Sequence, residues 1–304
     1  MGLNEFYRLS AIDPDVQKHL NATMDDNKLV QKPKKVVFLD VDGTIAPFGA
    51  PIPQSAIQAI RMARQNGNKV LLCTGRSRAE LQPQVMAIGF DGMVGAAGAF
   101  VDIDGANIFF SKLQDEWVAE IIDYFDMNKI HGFFQCPSMT YARERSLVAF
   151  AAMLSASSEH SRRDEVVIPG IVAKEHLYEC RDVTKIFFLS ETTPVEEVRR
   201  HFAGRFMIIN NTIGLPEEKS GELSRTGVSK ATGIEVVLKH YGCDRADSVA
   251  IGDGYNDLEM IEYAGTGIAM GNGVGSLKQL ADHVTADIND DGLYKAFQYA
   301  GLIT

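Results

Sequence analysis

The chain has 304 residues, 45% of them hydrophobic, enough for one large or two modest cores and too many for a disordered polymer. Its formal net charge of −10 gives no broad attraction to nucleic acid or anionic lipid. No apolar run reaches membrane-span length and no basic-then-apolar leader opens the chain. The four cysteines (Cys73, Cys136, Cys180, Cys243) show neither metal spacing nor a dense disulfide pattern, so reduced thiols and a cytoplasmic setting are expected. Residues 1–32 read as an appendage, with a short helix at 15–20 before the polar run Asp25-Asp26-Asn27-Lys28. Val36-Val37-Phe38-Leu39 then has the composition of a strand covered on both faces, and it ends in Asp40-Val41-Asp42-Gly43-Thr44. Strand pleating sends positions i and i+2 to one side, so Asp40 and Asp42 are expected to face one cavity at the C-terminal edge of a parallel sheet. Taken alone, the same residues also suit a surface turn.

An alternating pattern follows. Ser55 is placed to cap a helix carrying Ile57, Ile60 and Ala63 on one face, and Lys69–Cys73 reads as a strand leading to Thr74-Gly75-Arg76. A helix over Leu81–Ile88 and a strand at Met93-Val94 continue the rhythm. It then breaks, because residues 75–229 separate Thr74 from Lys230, far more than a doubly wound fold needs for a connection. The surplus, 104–221, is expected to be an inserted α/β domain with strands at Lys185–Leu189 and Phe206–Asn210 around a helix at Val195–His201. The rhythm resumes at Val249 and runs through a helix at Leu258–Tyr263, a strand at Gly267–Met270 and a helix at Ser276–Ala281. The predicted fold class is α/β, a doubly wound parallel sheet built from 33–103 and 222–304.

The second strand end carries Gly252-Asp253-Gly254-Tyr255-Asn256-Asp257. Two strand ends thus offer four acids, which repel one another unless a cation neutralises them. Oxygen-only ligands favour Mg²⁺ over zinc or copper. Asp287, Asn289, Asp291 and Gly292 imitate the start of a calcium loop, but Gln298 stands where a bidentate Glu is required. Between the acidic stations, Thr74 at a strand end could join exposed backbone N–H groups around an anion, with Lys230 supplying positive charge. Each alone also fits a plainer role, Thr74 as a helix-start residue and Lys230 as a solvated amine.

Taken in order, DVDGT, the Thr74 segment, Lys230 and GDGYND resemble the four motifs of the haloacid dehalogenase (HAD) superfamily, and specifically its Cof-type phosphatases. The resemblance runs from about Lys35 to about Phe297 and includes Ala269-Met270-Gly271-Asn272 and Ala281-Asp282-His283-Val284-Thr285. It implies a Rossmann-like core with an α/β cap over the active site. It further implies Asp40 as nucleophile, Asp42 as general acid/base, and Thr74, Gly75 and Lys230 as phosphoryl-binding. Mg²⁺ would be held by Asp40, Asp253 and the backbone carbonyl of Asp42, with Asn256 and Asp257 in support. The chain departs from the family where relatives often carry Asn-Gly-Ala, since it reads Gly95-Ala96-Ala97-Gly98-Ala99.

The residue types match the chemistry. A phosphate monoester is a dianion, so a carboxylate reaches phosphorus only when nearby positive charge offsets the repulsion. The expected activity is hydrolysis of a small phosphorylated metabolite, a sugar phosphate or a phosphorylated cofactor, with no nucleic-acid or membrane partner. The rival readings are a sugar phosphomutase and a non-catalytic phospho-ligand sensor.

Overall fold

The computed structural model describes residues 17–18, 32–47, 49–157, 170–210, 215–216 and 218–304. The helix expected at 15–20 falls outside them except at Gln17 and Lys18, which are helical, and of the rest of the 1–32 appendage only Lys32 is described. The chain forms two compact units: Met1–Gly75 with Gln82–Phe110 and Gly227–Thr304, and Arg76–Leu81 with Ser111–Thr226. In chain order the first contributes β1 (Val36–Leu39), β2 (Lys69–Cys73), β3 (Gly92–Gly95), β4 (Phe100–Ile103) and β5 (Ala106–Phe110). The second contributes β6 (Ile130–Gln135), β7 (Thr140–Ala142), β8 (Ile171–Ala173), β9 (Lys185–Ser190), β10 (Phe206–Asn210) and β11 (Ser220–Arg225). The first then adds β12 (Ser248–Gly252), β13 (Thr266–Ala269) and β14 (His283–Val284).

The first unit holds an eight-stranded sheet in the order β14-β13-β12-β1-β2-β3-β4-β5. From β14 to β3 the strands are parallel, and β1 lies between β12 and β2 with Leu39 opposite both Ile251 and Leu72. These three strands are almost wholly buried, as their apolar runs require of central parallel strands. Their register brings the residues just after each strand, Asp40, Thr74 and Asp253, out at one sheet edge.

The parallel rhythm stops at β3, because β4 and β5 return as an antiparallel hairpin around Asp104 and Gly105, both in the left-handed conformation. That hairpin stays with the first sheet, so the second unit begins at Ser111 rather than 104 and ends at Thr226 rather than 221. Two helix expectations also shift. The helix expected to start at a Ser55 cap begins at Gln54 behind Pro53, placing Ser55 inside its first turn. The segment expected to be helical from Leu81 to Ile88 forms a single turn, Pro83–Met86. Pro83 forces Gln82 extended, and Gly89 at φ +91° ends the segment.

The second unit is a six-stranded sheet, β10-β11-β9-β6-β7-β8, antiparallel apart from the β7–β8 pair. Helix Asp115–Met127 buries Val118, Ile122 and Phe125 in a core shared with Phe188 and Phe202. The unit also claims Arg76–Leu81, through Glu80. Its buried carboxylate accepts from Ser77 N at 2.8 Å, Gln135 Nε2 at 2.5 Å and Thr140 Oγ1 at 2.5 Å. Among the described residues no helix is long and apolar enough to cross a membrane.

One ion cluster fastens the first sheet to its flanking helix Gln54–Gln65. Asp91 accepts from Arg64 Nε at 2.9 Å and Nη2 at 3.2 Å, from Lys69 Nζ at 3.2 Å and from Val70 N at 2.9 Å. Burial opposes ionisation of Asp91, but Arg64, the Val70 N–H and Lys69 together hold its carboxyl below the usual range. Its stabilising effect is therefore present above the ordinary carboxylate value and lost as pH falls through the lowered folded one. Asp91→Asn is expected to lower stability by about 2 kcal/mol at neutral pH, with the gap to wild type closing in acid. Urea titrations at neutral and acidic pH check this, and superimposable neutral curves would rule it out.

Candidate active site

The side chain of Lys230, the first residue of helix Lys230–Tyr241, is 1% exposed. Its Nζ donates to Asp40 Oδ1 at 2.6 Å and to Asp257 Oδ1 at 2.5 Å. Asp257 Oδ2 in turn accepts from the backbone N–H groups of Asp253 and Gly254, each at 2.9 Å. Both oxygens of Asp257 are thus engaged in tying the loop after β12 to the lysine. Carboxylate oxygens of Asp40, Asp253 and Asp257 all lie within 4.8 Å of one another. Asp253 also crosses to the first acidic loop, where its Oδ1 accepts from Thr44 Oγ1 at 3.1 Å. Gly43, at φ +82°, cannot be replaced there without collision, since a Cβ would stand 2.1 Å from Asp253 Oδ2.

These charges oppose one another in a dry place. Burial, then Asp257, pushes the Asp40 carboxyl well above its usual range against the pull of Lys230, with Asp253 and Asp42 adding to the rise. Burial and Asp257 likewise push Asp253 up to about 7, partly offset by the Thr44 hydrogen bond. Burial disfavours a charged Lys230, but the carboxylates of Asp257 and Asp40 outweigh it and hold the amine above its ordinary value. One lysine does not balance this many acids. An all-oxygen cluster carrying excess negative charge fits a hard divalent cation.

Thr74 is buried at the end of β2, where its N–H donates to Val94 O at 2.9 Å and its carbonyl accepts from Ala97 N at 3.0 Å. The chain after it makes a short 3₁₀ turn, Arg78–Glu80, rather than a helix starting at Thr74. Asp42 is half-buried on the turn in which Gly43 N donates to Ala46 O. Asn256 folds back over its own loop, so that a Cβ on Gly254 would stand 2.6 Å from Asn256 Oδ1. The structure therefore gathers Asp40, Asp253, Asp257 and Lys230 directly, with Asp42, Thr74, Gly75 and Asn256 on the flanking turns.

The sequence profile of the haloacid dehalogenase-like hydrolases matches residues 37–297. The chain belongs to that family. It is an enzyme, a Cof-type phosphatase of the superfamily. Its relatives include YkrA of Bacillus subtilis, 28% identical over 270 residues spanning 88% of this chain and 98% of the relative. The pyridoxal phosphate phosphatase YbhA of Escherichia coli is 25% identical over 277 residues, 88% of this chain and 99% of that one. Among solved structures, the HAD subclass IIB sugar phosphatase BT4131 superposes with a TM-score of 0.70 at 26% identity, covering 88% of this chain and all of that one.

Two residues of the phosphatase site had no role in the sequence reading. Thr44 steadies Asp253, although it closes the DVDGT run. Asn272 donates from Nδ2 to Gly43 O at 2.8 Å and accepts on Oδ1 from Ile288 N at 2.9 Å, bracing the first acidic turn against a distant loop. Its signal was its place in the Ala269–Asn272 stretch. In the second unit, Arg143 and Arg145 both pair with Asp126, His131 lies 3.2 Å from Glu191, and Lys174 lies 3.2 Å from Glu179. The calcium-loop imitation is a capped turn, with Asp287 Oδ1 accepting from Asn289 N at 2.9 Å.

The departure from Asn-Gly-Ala is a strained turn. Ala96 and Ala97 both adopt left-handed backbone, φ 47° and 55°, at about 1–2 kcal/mol each for a residue with a Cβ.

Proposed function

We propose that this phosphatase hydrolyses a small phosphorylated metabolite, a sugar phosphate or a phosphorylated cofactor, through an aspartyl-phosphate on Asp40 with Mg²⁺ as cofactor. The reading rests on the joint contact of Lys230 with Asp40 and Asp257. A lysine so placed neutralises charge beside a carboxylate that must approach a dianion. Asp40 attacks phosphorus in line, and the bond to the departing oxygen breaks as Asp42 delivers a proton to it. Asp42, now a carboxylate, takes a proton from the water that attacks the acyl phosphate, releasing inorganic phosphate and restoring Asp40. Thr74, the backbone at Gly75 and Lys230 hold the phosphoryl oxygens. Mg²⁺, when bound by the carboxylates of Asp40 and Asp253 and the backbone carbonyl of Asp42, supplies the remaining positive charge. Asp257 supports by fixing Lys230 and the loop that carries Asp253, and Asn256 steadies that loop.

The substrate class is supported by what two relatives are named for, pyridoxal phosphate in one and sugar phosphate in the other. The inserted unit, Arg76–Leu81 with Ser111–Thr226, is assigned as the cap that reads the part of the substrate beyond the phosphate. A cytoplasmic setting is part of the reading and draws on four unpaired cysteines.

Phosphate release measured across sugar phosphates, nucleotides, flavin mononucleotide and pyridoxal phosphate tests the proposal. Chelation with EDTA is expected to remove at least about 10²-fold of the activity and Mg²⁺ to restore it. Full activity in EDTA would overturn the metal assignment. An isomerised sugar phosphate in place of inorganic phosphate would make the enzyme a mutase.

A further inference from the structure

The turn between β3 and β4 places its glycines where crowding requires them and its alanines where the backbone is strained. Gly95 is extended, at φ −115°, and is small because a Cβ would run into the Phe100 ring at 2.1 Å. Gly98, at φ +100°, faces the backbone before Lys230, where a Cβ would stand 1.9 Å from Ser229 O and 3.2 Å from Lys230 N. Between them, Ala96 and Ala97 occupy the left-handed region in succession, although glycine would adopt it without strain. The turn touches two stations of the site: Ala97 N donates to Thr74 O at 3.0 Å, and Gly98 packs against the start of the helix that Lys230 opens. Helix and strand are equally close below it, since a Cβ on Gly233 would meet Val94 Cγ1 at 2.3 Å.

We propose that Ala97, with Ala96, is a positioning residue whose strained conformation fixes the distance between Thr74 and Lys230. The inference deepens the phosphatase reading and rests on it. The left-handed well open to an alanine is small, so the residue stays where the surrounding packing puts it, whereas glycine reaches several basins from the same position. Strain persists at a functional site only when its surroundings over-determine it, and here the contacts on either side are those of two phosphoryl-binding groups. In a turn that only joined two strands, glycine at both positions would relieve more strain than its added unfolded-state entropy costs.

The test compares wild type with Ala97→Gly, measuring the thermal midpoint and the inhibition constant for inorganic phosphate with Mg²⁺ present. The variant is expected to melt about 2–4 °C higher, because strain is relieved. Its phosphate inhibition constant should rise at least about 5-fold, because Thr74 and Lys230 are held less rigidly. Ala96→Gly should move both quantities the same way. A higher midpoint with unchanged phosphate affinity would mean the turn is merely structural and overturns the inference, and an unchanged or lower midpoint overturns the claim of strain. If wild type itself does not bind phosphate, the phosphatase reading fails and this inference with it. If wild type binds and both variants bind equally, the inference alone fails.

Discussion

Asp40→Asn is expected to reduce turnover with Mg²⁺ present by at least about 10³-fold, to background, while the metal-free protein melts at or above the metal-free wild type. Loss of activity follows from removing the only atom assigned to form the bond to phosphorus, since an amide oxygen is too weak a nucleophile to replace it. The thermal effect has a separate cause. Asp40 is buried beside Asp257, Asp253 and Asp42, and its carboxyl is pushed well above the usual range, so at neutral pH its charge opposes folding. An amide keeps an acceptor for Lys230 and removes that repulsion. Circular dichroism melting in EDTA and phosphate release with Mg²⁺ restored decide the matter. Normal turnover by a well-folded variant refutes the nucleophile assignment, and a large drop in melting temperature refutes the electrostatic account.

The second large effect belongs to Asp42. Asp42→Asn is expected to lower kcat/KM for a sugar phosphate by about 10²–10⁴-fold and for p-nitrophenyl phosphate by much less. A sugar alkoxide is a poor leaving group and needs its proton as the bond breaks, whereas p-nitrophenolate departs without one. The comparison must use kcat/KM, which covers the steps only up to formation of the aspartyl-phosphate. The second step, in which Asp42 is proposed to activate water, is common to both substrates and would depress kcat for each. Equal losses in kcat/KM on the two substrates would remove Asp42 from the role of acid.

Much of the site was legible in the sequence because three of its four stations follow the end of a buried strand. The apolar runs before Asp40, Thr74 and Asp253 are central parallel strands, and such strands carry a continuous hydrophobic signature followed by a turn residue. Lys230 was legible only by its place in an ordered set of motifs, for nothing in Gly227-Val228-Ser229-Lys230 announces that its amine is buried between two carboxylates. Only β5 falls inside the span expected for the inserted domain, because nothing in the Ala106–Phe110 run itself records that it folds back on β4 and extends the first sheet. The attachment of Arg76–Leu81 to the second unit depends on Glu80 meeting Gln135 and Thr140, residues 55 and 60 positions away. The shortened turn at Pro83–Met86 is different, since Pro83 was in plain view and its effect on Gln82 is local.

By itself, the sequence determined which strands are buried and which acids stand at their ends, because hydrophobic period and glycine turns are local properties of the chain. The tertiary structure alone decided that β1 lies between β12 and β2, that Lys230 reaches Asp40 and Asp257 together, and that two alanines are held left-handed beside Thr74. Those outcomes depend on strand order and on close packing between segments up to some 200 residues apart, where a buried charge finds its partner only once the whole sheet has formed.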